Sequence, residues 1–134
     1  MKTGILLVIC VLMLTGCSFL DMLNPTPQLK GDARIDTVES TEVAYGTTIK
    51  IHYTIQNIGN ITIDKFRIKF SIQTYDSSIS SMTPEMDIPI APGKTYSGMH
   101  SLTVGEGSIK AVRIVFVYIE SVAYEMSVLF TPTD

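Results

Sequence analysis

The chain has 134 residues, 46% of them hydrophobic, which suffices for one buried core and is too apolar for a disordered segment. A formal net charge of −3 excludes the basic footprint of a nucleic-acid binder, and no polybasic run is present to hold anionic lipid headgroups. Cys10 and Cys17 are the only cysteines, so the chain beyond residue 17 can form neither an internal disulfide nor a thiolate metal cage.

The first segment reads as an address. Met1-Lys2-Thr3 carries one positive charge and is followed by the apolar run Ile5 to Leu14. As a helix this run is roughly 15 Å long, about half the thickness of a bilayer core, which is the size of a signal-peptide core rather than of a membrane span. Cys10 lies inside it and acts as a small hydrophobe. The run ends in Leu14-Thr15-Gly16-Cys17. This tetrapeptide resembles the lipobox of bacterial lipoproteins, in which an aliphatic residue and two small ones precede a lipid-bearing cysteine. The resemblance implies cleavage between Gly16 and Cys17 and acylation of the Cys17 thiol. It also implies that Ser18 directs the product to the outer membrane if the envelope is Gram-negative. Several acyl chains on one residue anchor stably, at about 0.8 kcal/mol per buried methylene.

The expected organisation is therefore a signal peptide over 1–16, a lipidated tether over 17–31 and a folded domain over 32–134. Pro25 and Pro27 keep the tether extended. Within the domain, Arg34 to Val43 supplies a first strand. Ile49 to Gln56 alternates strictly, with Ile49, Ile51, Tyr53 and Ile55 on one face. Lys65 to Gln73 repeats the pattern, with Phe66, Ile68, Phe70 and Ile72 directed to the core and Lys65, Arg67 and Lys69 to solvent. Asn57-Ile58-Gly59-Asn60 between them is a turn, either of a hairpin or of a tight crossing between sheets.

Asp76 to Thr83 reads as a Ser-rich loop, Met86 to Ile90 as a short strand and Ala91-Pro92-Gly93-Lys94 as a turn. Thr95 to Val104 is a strand interrupted at Gly98. After Gly105-Glu106-Gly107, Ile109 to Glu120 is apolar at nearly every position from Val112, the pattern of a strand covered on both faces. Val122 to Phe130 alternates again. About seven strands in about 100 residues, without a helical period, predict an immunoglobulin-like β-sandwich. A small closed barrel is the alternative.

Three features carry a further resemblance: the turn Asn57-Ile58-Gly59-Asn60, the strand end Ile72-Gln73-Thr74-Tyr75-Asp76, and Ala91-Pro92-Gly93-Lys94 before a Thr-rich strand. Together they resemble bacterial sandwich domains of the FxLYD and CARDB type. Ile72 and Thr74 depart from the FxLYD pattern, which Tyr75 and Asp76 match. The resemblance implies adhesion, spacing or binding, and no activity.

No nucleophile elbow, phosphate loop or metal motif is present. His52 and His100 could ligate a metal only with a third ligand, which no spacing supplies. Asp76, Glu85 and Asp87 are the nearest approach to a carboxylate cluster for calcium, again without loop spacing. Lys65, Arg67 and Lys69 offer a cationic row to an acidic partner or a polysaccharide. Asn60-Ile61-Thr62 has the form of a glycosylation sequon, which behind a bacterial signal reads as a turn. The reading is a non-catalytic, membrane-anchored module that binds a protein or glycan, or serves envelope assembly, without a cofactor or a nucleic-acid partner. The alternative is an enzyme or metal-binding protein whose site is assembled from dispersed residues.

Overall fold

The computed structural model describes residues 26–105 and 108–131. Seven strands form: β1 Gly31–Val43, β2 Gly46–Asn57, β3 Phe66–Thr74, β4 Ser78–Met82, β5 Thr95–Val104, β6 Ile109–Ile119 and β7 Val122–Phe130. They build two antiparallel sheets, β1-β2-β5 and β4-β3-β6-β7. The chain crosses between sheets after β2, β4 and β5. This is an immunoglobulin-like β-sandwich, as the alternation predicts.

The core lies between the inner faces. Ile49, Ile51, Tyr53 and Ile55 from β2 meet Phe66, Ile68, Phe70 and Ile72 from β3, with Ile114, Val117 and Ile119 from β6, all buried. Arg67 and Lys69 face away from it, so the register of β3 is the one the alternation predicts. Tyr53 and Phe70 meet at 5.9 Å between ring centroids. Burial pushes the Tyr53 phenol up to about 12, so it stays protonated.

Four expectations are corrected. The Ser-rich stretch is not a loop throughout: Ser78–Met82 pairs with β3 as a short edge strand. Met86 to Ile90 is not a strand; it makes two isolated bridges, Phe66 with Met86 and Ile63 with Ile90. Gly98 does not interrupt β5. It pairs with Tyr53, and a Cβ there would lie 2.7 Å from the Tyr53 Oη, so the glycine makes room for the ring.

The fourth correction concerns β6, which is not covered on both faces. Its register shifts by one residue between Ile114 and Phe116. This bulge reverses the parity, so Val112 and Ile114 face the core before it and Val117 and Ile119 after it. The unbroken apolar run is two alternating segments joined out of phase. Phe116 and Tyr118 are left half-buried on the outer face.

One end of the sandwich is organised by Asn57. Its buried side chain donates to the carbonyls of Ile61 (2.7 Å) and Ile90 (2.8 Å) and accepts from the Gly59 amide (3.0 Å). Its backbone bonds to Lys94 and Gly93, which draws the Asn57–Asn60 and Ala91–Lys94 turns together. The chain approaches β1 across this end. The Gln28 amide donates to Asn60 Oδ1, Asn60 Nδ2 donates to the Thr26 carbonyl, and the Tyr124 hydroxyl donates to the Leu29 carbonyl. The last residues of the expected tether thus run along the domain. Gly59 permits this crossing, since a Cβ there would lie 2.2 Å from the Gln28 carbonyl oxygen.

Candidate functional site

The most developed polar arrangement lies on the outer face of the three-stranded sheet. The β1 register shifts between Ile35 and Thr37, which leaves Asp36 as one extra residue opposite β2. The bulge turns its carboxylate onto the sheet. Thr54 Oγ1 donates to Asp36 Oδ2 at 2.6 Å, and Arg34 Nε donates to Oδ1 at 2.8 Å. A hydroxyl has one proton, and Thr54 gives it to Asp36; the Ser97 hydroxyl, 2.9 Å away, therefore donates to Thr54. A hydrogen-bonded row runs across all three strands from Arg34 to Ser97.

The bond from Thr54, then that from Arg34, holds the Asp36 carboxyl below its ordinary value. Asp36 is a weak base as a result, and Ser97 is separated from it by a second hydroxyl. The row offers hydrogen-bonding positions rather than an activated nucleophile. Beside it lies a groove of about 450 Å³, lined by Asp36, His52, Tyr53, Ser97, Gly98 and Met99. His52 Nε2 stands 3.6 Å from Glu39 Oε2 and has no hydrogen-bond partner.

His100 takes the other face of the same sheet. It stacks on Phe70 at 5.6 Å and 12°, and its Nε2 lies 2.7 Å from Ser81 Oγ. Burial pushes its pKa below the ordinary histidine value. The pair joins β5 to β4, an edge strand of each sheet. It has the partners of a Ser–His dyad, but among the described residues no carboxylate orients the ring. His52 and His100 sit on opposite faces of one sheet and share no metal. No group of three or more His, Cys, Asp or Glu is placed to hold a metal ion among the described residues.

Other residues singled out by the sequence fall into place. Glu85 and Asp87 converge on the Lys65 ammonium, at 3.5 and 3.8 Å, while Asp76 lies at the far end of the sandwich. The cluster already holds a cation, supplied by the chain. Lys65 precedes β3 and leaves the cationic row to Arg67 and Lys69. The Asn60 carboxamide is occupied by Thr26 and Gln28, in keeping with its role as a turn residue. Gly16, Cys17 and Cys10 lie outside the described residues; among the described residues no helix is long and apolar enough to cross a membrane.

Sequence reasoning missed Asp36 and Ser97, which are far apart in the chain and meet only through pairing. One signal exists in β1: the apolar parity changes from Ala33 and Ile35 to Val38, as a bulge requires.

No protein-family model matches the sequence, and no curated protein matches it. Among solved structures, the chain is similar to part of a β-glucosidase from Listeria innocua in complex with gluconolactone, at TM-score 0.46 and 15% identity, over 78% of this chain and 17% of that one. It is similar to part of the same enzyme in complex with glucose, at TM-score 0.45 and 16% identity, over 75% and 16%. A β-glucosidase from Erythrobacter marinus gives TM-score 0.44 and 10% identity, over 75% and 15%. The chain spans less than a fifth of the length of these enzymes.

Proposed function

We propose that the protein is a lipid-anchored module of the bacterial envelope, exported through its 1–16 segment and held in the membrane by acyl chains on Cys17. Its β-sandwich works without catalysis, binding a protein or glycan or supporting an envelope assembly. In a Gram-negative cell Ser18 directs it to the outer membrane. The observation that carries this reading is the sequence Leu14-Thr15-Gly16-Cys17 at the end of a short apolar run. Residues 26–30 are tied to the Asn57–Asn60 end of the sandwich, so the chain enters the domain from that end. The two sheet faces and the opposite end would remain free for partners.

The test is fractionation of cells expressing the full chain. The protein should sediment with membranes, resist extraction by high salt and be released by detergent. Cys17→Ala should yield precursor that carries no lipid. Release of the unsubstituted protein by salt alone would sink the anchoring reading.

A further inference from the structure

The two sheets carry opposite charge. On β1 and β2 stand Asp32, Asp36, Glu39 and Glu42 against Arg34 and Lys50. On the other sheet stand Arg67, Lys69, Lys110 and Arg113 against Glu125 alone. Of the acids of the first sheet, Asp36 is held by Arg34 and Thr54 and Asp32 accepts from the Ala33 amide, while Glu39 stands 3.6 Å from His52. Lys69 and Arg113 form no ion pair among the described residues.

The cations are interleaved with aromatic rings. Pairing of β3 with β6 sets Arg67 beside Tyr118 and Lys69 beside Phe116. The Arg67 guanidinium lies 5.2 Å from the centre of the Tyr118 ring, and the Phe116 and Tyr118 rings are 5.9 Å apart. The β6 bulge produces this arrangement by putting both rings on the outer face. Phe116 and Tyr118 are half-buried and contribute apolar surface to this face, one side of the Tyr118 ring being covered by Arg67, and the flanking cations match carboxylates.

We propose that the outer face of the four-stranded sheet is a docking surface for an acidic glycan, with Phe116 and Tyr118 supporting sugar rings and Arg67, Lys69 and Arg113 pairing with their carboxylates. A nucleic acid shares the glycan's negative charge, and the test separates the two. A second copy of this chain would offer Glu39 and Glu42 of its β1, and the test separates that outcome from glycan binding. The proposal rests on the reading of the sandwich as a binding module and names its ligand class and surface.

The test uses the full lipidated chain in phosphatidylcholine nanodiscs, titrated with a galacturonate hexamer and, for comparison, with a neutral glucose hexamer. The hexauronate should bind saturably and more weakly as salt is raised, and the neutral hexamer should bind less. Arg67→Gln combined with Arg113→Gln should weaken binding by about tenfold or more. Lys50→Gln on the opposite sheet should leave it unchanged. Tyr118→Phe should retain binding that Tyr118→Ser loses, with both variants melting as cooperatively as the parent. Absence of saturable binding would overturn the proposal, as would binding indifferent to the double substitution. So would preference for an oligothymidylate, or self-association that the double substitution abolishes. Shortening of the hexamer, seen by mass spectrometry, would instead overturn the non-catalytic reading on which the proposal rests.

Discussion

Asp36 owes its environment to one extra residue in β1. Asp36 shares the outer face with Arg34, and the bulge leaves it without a residue directly opposite on β2, where its carboxylate collects hydrogen bonds from Thr54 and Arg34. Since the folded pKa lies below the ordinary 3.8, the ionised carboxylate contributes stability above that pH, which is lost as pH falls through the folded value. Thr54→Val removes the largest cause of the shift. The Asp36 titration, followed by carboxyl carbon NMR, should then move up toward the ordinary value; an unmoved midpoint would mean that Thr54 is not what holds it.

His100 titrates with the same sign at higher pH. It is depressed by burial against Phe70, so its neutral form contributes stability above the ordinary 6.5, lost as pH falls from there toward the folded value. The groups facing it are neutral: the Phe70 ring and the Ser81 hydroxyl. Melting temperature should decline on acidification through this window. The decline should be smaller in His100→Leu, and an identical slope in both proteins would contradict the assignment.

At the scale of the element, β2 and β3 were legible because their alternation is unbroken, and their packing face to face across the two sheets follows from burying two apolar faces. Phe70 shows how firmly β3 is registered: it is fully buried and touches both Tyr53 and His100. Phe70→Ala should cost about 3–5 kcal/mol in denaturant unfolding through the cavity it leaves. A loss below about 1 kcal/mol would show that the neighbours close over the gap.

What was not legible fails for identifiable reasons. A bulge shifts parity, so the continuous apolar run of β6 imitates a doubly covered strand. Serines suit a short edge strand as well as a loop, which hid β4. Met86 to Ile90 alternates, yet finds only two bridging partners. The row Asp36–Thr54–Ser97 needs a bulge and two cross-strand neighbours, none of which local periodicity encodes.

For the whole molecule, stability rests on packing between the two sheets. The described residues provide a continuous core and no metal cluster. A protein comprising residues 26–134 should therefore melt cooperatively at the same temperature with and without EDTA. A melting temperature lowered by chelator would reveal a bound metal, and His52, with its unpartnered Nε2, would be the first ligand to examine.

The sandwich also has a polarity along its length. Residues 26–30 are fixed at the Asn57 end, while the β1–β2 hairpin, with Tyr45 92% exposed, lies at the other. The proposed envelope role depends on the chemistry of Cys17. The most direct measurement is mass spectrometry of the N-terminal peptide of the full chain purified from bacterial membranes. The expected result is a chain beginning at Cys17, with a mass increment of a diacylglyceryl thioether and, where the amine is also acylated, a further fatty acid. An unmodified Cys17, or a terminus generated by cleavage elsewhere, would contradict it.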